Sequence, residues 1–135
     1  KQWGKRVYIV AADYNYGQIT SKWMQKYIRQ MGGQDLAVEF FPLDVNNFAP
    51  VLSRIQAAKP DVVWSALVGD AHVSFYRQFE STIGKKNMLL ASTTYGVGRE
   101  NVALSPAENE GIVIATSFVD SLPTDAARGF VERFK

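Results

Sequence analysis

Two tyrosines one residue apart, Tyr14 and Tyr16, stand in the turn Asp13-Tyr14-Asn15-Tyr16-Gly17, directly after the apolar run 7–12. Aromatic rings with hydroxyl tips wall a pocket and hold a small molecule; they do not cleave one. Further along, Gly69-Asp70 and Thr93-Thr94-Tyr95 offer related chemistry: backbone that a bound molecule can approach closely, a carboxylate, two hydroxyls and a third ring. Each has an alternative use. The tyrosines can cover the end of a sheet as packing, Asp70 is a preferred helix cap, and the threonines can bond their own loop. Asp13 is expected to fix its turn or cap the following helix rather than touch a ligand.

Groups for bond-breaking are missing. His72 is the single histidine, which removes most metal and acid–base schemes, and its place in the first turn of a helix predicts a surface residue. No cysteine occurs, no serine sits in G-x-S-x-G, and no Gly-Lys-Ser/Thr run is present. Gly96-Val97-Gly98 opens like a dinucleotide fingerprint, but Asn101 stands where its third glycine belongs. Glu108 and Glu110 read as a solvated face. Fifteen basic and thirteen acidic residues leave a formal charge of +2, scattered without a basic stripe, so no nucleic-acid partner is implied. The expectation is a binding module, not an enzyme, without cofactor or metal.

The elements that must position these residues follow from hydrophobic period. Apolar runs at 7–12, 62–68, 88–91 and 112–115 read as strands buried on both faces, and the alternation of Leu36, Val38 and Phe40, with Glu39 facing the other way, as an edge strand. Between them lie helical patterns. The first carries Ile19, Trp23, Met24, Tyr27, Ile28 and Met31 as one apolar stripe and stops at Gly32-Gly33; the second, capped by Asn46 or Asn47, buries Phe48, Val51, Leu52 and Ile55. A third carries Val73, Tyr76, Phe79 and Ile83, and a last one, from Pro123-Thr124, buries Ala127, Phe130, Val131 and Phe134. The stretch 93–111 is expected to be mostly loop, with at most one helical turn. Strand–helix alternation predicts an α/β fold, a three-layer parallel sheet with helices on both faces and strand order 2-1-3-4-5. Ligands bind beyond the carboxyl ends of such strands. That rule selects the three turns above together with Ser117-Phe118-Val119-Asp120. Phospho-receiver domains share this topology, but they want clustered acids near the first strand and a lysine after the fifth, where Thr116-Ser117-Phe118-Val119 stands here. The sequence starts barely ahead of a strand and stops inside a helical pattern, so residues 1–135 are expected to form a single α/β domain that is a fragment of something longer.

Taken in order, the segments Gly4-Lys5-Arg6-Val7, Asp13-Tyr14-Asn15-Tyr16-Gly17, Phe41-Pro42-Leu43, Pro60-Asp61-Val62-Val63-Trp64, Val68-Gly69-Asp70, Phe75-Tyr76, Glu110-Gly111 and Phe130-Val131-Glu132-Arg133-Phe134-Lys135 resemble the second lobe of type I periplasmic solute-binding proteins of ABC transporters. The likeness spans essentially the whole chain and is nearest to the urea and short-chain amide branch, related to the branched-chain amino-acid binders. It implies that residues 1–135 are a single lobe of a longer, two-lobed protein, with a small polar solute held by hinge closure, an inner-membrane ABC permease as partner and a periplasmic location; a cytoplasmic amide sensor of the same fold is the alternative. By the same resemblance Tyr14 and Tyr16 match pocket aromatics, and Gly69, Asp70, Thr93 and Thr94 match pocket-lining turns. Tyr95 stands where amino-acid binders carry the acid that pairs with the α-amino group. A buried ammonium without a carboxylate is costly, so an uncharged amide, a urea-like compound or an aromatic acid fits this edge better, unless Asp70 takes over the pairing.

Overall fold

The structure, a computed structural model, describes residues 3–96, 100–119 and 121–134. Strands β1 (Arg6–Ala12), β2 (Gln34–Phe41), β3 (Val62–Ala66), β4 (Leu89–Ser92) and β5 (Val113–Ile114) form one parallel sheet in the order β2-β1-β3-β4-β5. Helices α1 (Asn15–Gln30), α2 (Ala49–Ala58) and α3 (Asp70–Thr82) connect the first four strands, and α6 (Asp125–Phe134) closes the chain. This is the predicted α/β architecture and strand order. Between β4 and β5, where at most one helical turn was expected, lie two short helices, α4 (Glu100–Ala103) and α5 (Pro106–Asn109). Among the described residues no helix is long and apolar enough to cross a membrane.

Alternation along β1 divides the core. Tyr8 and Val10 face a large cluster built with Phe48, Val51, Leu52 and Ile55 near or on α2 and with Phe75, Tyr76 and Phe79 on α3. Ile9 and Ala11 face a small one with Trp64, Ala66 and Ile28 of α1. The amino ends of β1 and β3 are tied by Asp61, whose carboxylate accepts from the backbone N–H groups of Lys5 at 2.9 Å and Arg6 at 2.8 Å. Those donors hold Asp61 below the usual carboxylate range.

Four sequence expectations change. On α1 the residues turned to the sheet are Gly17, Ser21, Met24 and Ile28, spaced four, three and four apart, whereas Ile19, Trp23, Tyr27 and Met31 stay exposed. A four-residue step overshoots a turn by about 40°, so that second row winds off the buried face. There the Trp23 and Tyr27 rings stack at 6.1 Å, with the Lys26 ammonium 4.7 Å from the Trp23 ring centre. In β2 an irregularity in register opposite Val7 and Tyr8 separates Leu36 from Val38; Leu36, Ala37 and Phe41 pack on the large cluster, Val38 on the small one, and Phe40 is exposed. On α6 only Ala127 is fully buried. Phe130 and Phe134 are exposed, their rings 4.6 Å apart, with Phe118 at 4.7 Å from Phe130. Neither asparagine is the residue that starts α2: that place is taken by Phe48, and Asn47 instead accepts from the N–H of Ala49 at 3.1 Å.

Edge strand β2 is closed to further pairing partly by charge. Asp35 accepts from the Arg29 guanidinium at 2.8 and 2.6 Å and from Gln25 at 2.7 Å. The Arg29 hydrogen bond, joined by Gln25, lowers its carboxyl from 3.8 to about 2. A lowered carboxyl contributes stability that is complete above the unfolded value and is lost as pH falls toward the folded one. Asp35→Asn is therefore expected to lower the melting temperature at pH 7, with the gap to the unmodified chain closing between pH 4 and pH 2. A gap independent of pH would remove the ion pair as its cause.

Candidate functional site

At the carboxyl end of β1 the chain turns into α1 without a side-chain cap. Tyr14 occupies the N-cap in extended conformation, and its N–H donates to the Ala12 carbonyl at 2.9 Å. Gly17 then lies directly on that carbonyl: a Cβ built there would stand 2.0 Å from the Ala12 oxygen. The absence of a side chain lets α1 begin hard against the strand end, and this fixes both tyrosines. Tyr14 is exposed and Tyr16 half-buried, their ring centres 6.1 Å apart. Asp13 accepts from Gln18 at 3.0 Å and donates its N–H to Phe41 at 2.7 Å, so it secures the turn rather than capping α1.

Across β3, the turn after β4 answers this one. The Tyr16 hydroxyl and Thr93 Oγ1 lie 3.3 Å apart, joining β1 and β4 turns that are 77 positions apart in sequence. Thr94 points inward, 7% exposed, and donates to the Leu67 carbonyl at 2.8 Å. Tyr95 is also buried, its hydroxyl bonded to Asn109 of α5. Gly69, with φ 68° and ψ −153°, occupies a region open essentially to glycine and starts α3; Asp70 follows it in the first turn, exposed. The edge thus presents Tyr14, Tyr16, Thr93, Gly69 and Asp70, while Thr94 and Tyr95 support it from within. Ser117, Phe118 and Val119 are exposed beyond β5. Asp120, Val97 and Gly98 lie outside the described residues.

Sequence reasoning missed what lies beneath. His72 is not a surface residue: it is 1% exposed, because positions 72, 75, 76 and 79 share the face of α3 that meets the sheet. Its Nδ1 is 3.3 Å from the Glu100 carboxylate, and its Nε2 bonds the Tyr76 hydroxyl, which donates to Ser92 Oγ at 2.9 Å. Burial disfavours the imidazolium and holds His72 below the ordinary histidine value, with Glu100 pulling the other way. Burial likewise pushes the Tyr76 phenol up. The Phe75-Tyr76 and Phe79 spacing was the signal that position 72 faces inward; Glu100, 28 residues away, carried no local signal. Glu108 is not a solvated carboxylate either. It completes a capping box with Ser105, accepting from the Ser105 N–H at 2.6 Å, and the buried Lys85 ammonium bonds the carbonyls of Ala107 and Glu108 at 3.2 and 3.1 Å.

A groove of about 500 Å³ lies at the opposite end of the sheet, lined by Trp3, Lys5, Val7, Met24, Tyr27 and Met31 among others. Its lining includes one charged side chain, Lys5, and no convergent set of polar groups.

Solved proteins share this fold. The amino acid ABC transporter substrate-binding protein from Pseudomonas fluorescens Pf-5 superposes with a TM-score of 0.81 at 20% identity, over 96% of this chain and 35% of that one. A putative branched-chain amino acid ABC transporter protein from Rhodospirillum rubrum gives 0.85 at 18%, over 97% and 37%. A solute-binding protein of an ABC transporter from R. palustris, solved in complex with benzoate, gives 0.79 at 19%, over 96% and 35%. The chain spans about a third of the length of these proteins. Residues 1–135 match the family model described as periplasmic binding protein from end to end, and the chain belongs to that family.

Proposed function

We propose that this chain is one lobe of a two-lobed solute-binding protein of an ABC importer. It holds a small solute without transforming it, working in the periplasm and delivering to an inner-membrane permease. The observation that carries the reading is the hydroxyl contact between Tyr16 and Thr93, which joins the β1 and β4 turns at the point where strand order reverses, in a member of the periplasmic binding protein family. Hinge closure of a second lobe over this edge encloses the solute between the two.

The chemistry of the edge favours an uncharged amide, a urea-like compound or an aromatic acid over a free α-amino acid. Tyr95, at the position of the family's acid, is buried and engaged with Asn109; Asp70, in the turn after β3, is exposed, and Glu100, which follows the turn after β4, is buried against His72. Tyr14 and Tyr16 supply a ring wall, and benzoate in the R. palustris protein is a ligand of matching kind. Thermal-shift screening of the complete protein against amides, ureas, amino acids and aromatic acids tests this, since a ligand bound to the closed form raises stability. Silence across the panel, or turnover of one of its members, would sink it. Tyr16→Ala is expected to weaken any bound member at least ten-fold, about 1.4 kcal/mol, in calorimetric titration; unchanged affinity would make Tyr16 a packing residue.

A further inference from the structure

Three successive backbone N–H groups in the turn after β4 end on two buried acceptors. Thr94 and Tyr95 donate to Ser92 Oγ at 3.2 and 3.0 Å, and Gly96 donates to the Glu100 carboxylate at 3.2 Å. Both acceptors are themselves held by one side chain. His72 meets Glu100 through Nδ1 at 3.3 Å and reaches Ser92 through Tyr76, whose hydroxyl bonds Nε2 and donates to Ser92. Thr94 Oγ1 closes the ring, 3.3 Å from Ser92 Oγ and 3.4 Å from His72 Nε2. His72, Tyr76 and Ser92 are each 1% exposed. A polar network of this kind costs stability unless it is satisfied, and when satisfied it fixes one geometry.

We propose that His72 is a positioning residue for the ligand edge. By joining Glu100 and, through Tyr76, Ser92, it locks the amides of Thr94, Tyr95 and Gly96 and thereby holds the neighbouring Thr93 hydroxyl against Tyr16. The proposal rests on the ligand-edge reading above for its consequence, but its structural core concerns the turn alone. His72 touches no ligand. Its neighbours exclude bulk water from the turn's underside, and no other element offers these three amides an acceptor among the hydrogen bonds of the described residues.

The test compares His72→Leu and His72→Gln in the complete protein. Amide hydrogen exchange is read at Thr94, Tyr95 and Gly96, with Ile9, Val10 and Ala11 of β1 as controls, and binding is titrated with benzoate and acetamide as probes. His72→Leu keeps bulk but no polar group. It is expected to speed exchange of the three turn amides at least ten-fold with the β1 amides unchanged, and to weaken the probe that binds at least five-fold. His72→Gln, which keeps an amide where Nε2 stood but nothing where Nδ1 met Glu100, is expected to restore slow exchange at Thr94 and Tyr95 and part of the affinity, and not to restore Gly96. Unchanged exchange in the Leu variant overturns the proposal, as does equal acceleration of turn and β1 amides, the mark of a merely structural role. Loosened amides with unaltered probe affinity overturn the link to the edge. Exchange as expected while the unmodified protein binds no probe overturns the ligand reading instead and leaves the lock standing. Should the Leu variant not fold, Tyr76→Phe, which removes only the hydroxyl between His72 and Ser92, is expected to speed exchange at Thr94 and Tyr95 and to leave Gly96 unchanged; unchanged exchange at Thr94 and Tyr95 overturns the proposal.

Discussion

Replacing Gly17 by alanine is expected to destabilise the chain by about 3 kcal/mol, the upper part of the range for overpacking. The direction is opposite to the ordinary one. Glycine within a helix is a weak point, and alanine there usually adds up to about 1 kcal/mol. Here the added Cβ would stand 2.0 Å from the Ala12 oxygen and 2.9 Å from its carbonyl carbon, both backbone atoms that no rotamer change can move aside. The same oxygen accepts the Tyr14 N–H. Relief therefore requires α1 to retreat from the end of β1, taking Tyr16 away from Thr93. The denaturation midpoint should fall sharply, and tyrosine contacts at the edge should be lost in whatever folded population remains. A neutral or stabilising Gly17→Ala would mean that α1 starts with slack, and the account of how the edge is fixed would be wrong.

The sheet was legible because its signal is local and repeated. Four apolar runs and one alternating strand, separated by stretches of helical period, leave few right-handed windings, and the observed order β2-β1-β3-β4-β5 is the one expected. Position at strand ends also brought Tyr16 and Thr93 forward before any contact was known. What escaped the sequence was the choice between neighbouring faces. On α1, Trp23 and Tyr27 outweigh Ser21 and Gly17 in apolar content, yet the small residues face the sheet because the helix must approach closely there. On α3 a histidine in a first turn reads as surface, and its burial depends on Glu100, Tyr76 and Thr94 meeting it, two of them from outside α3. Thr94 and Tyr95 share a turn with Thr93 but face the other way, which alternation in a non-repetitive turn does not reveal.

Phe75→Ala is expected to cost about 3–5 kcal/mol, the range for emptying a buried aromatic site. Phe75 is fully buried in the large cluster and packs edge-on to Phe48 at 5.2 Å, with Phe79 at 5.8 Å and Tyr76 at 6.1 Å. Phe41 in turn lies 5.2 Å from Phe48, so the ring series runs from edge strand β2 to the inner face of α3. Each ring pair adds about 0.5–1.5 kcal/mol beyond the area it buries, and removing the middle ring breaks more than one. Phe75→Leu keeps most of the volume and should lose clearly less, which separates cavity from ring geometry in equilibrium urea unfolding. The loss should also reach the turn after β4 by a definite route. Tyr76 is the next residue on α3 and carries the bond from His72 to Ser92, so a helix free to settle into the Phe75 cavity shifts the hydroxyl that Ser92 receives. Amide exchange at Thr94 and Tyr95 should then rise before that of Ile9 and Ala11, which pack on the opposite face against α1. Equal rises on both faces would mean that the two clusters yield as one unit and that the turn after β4 has no mechanical link of its own to α3.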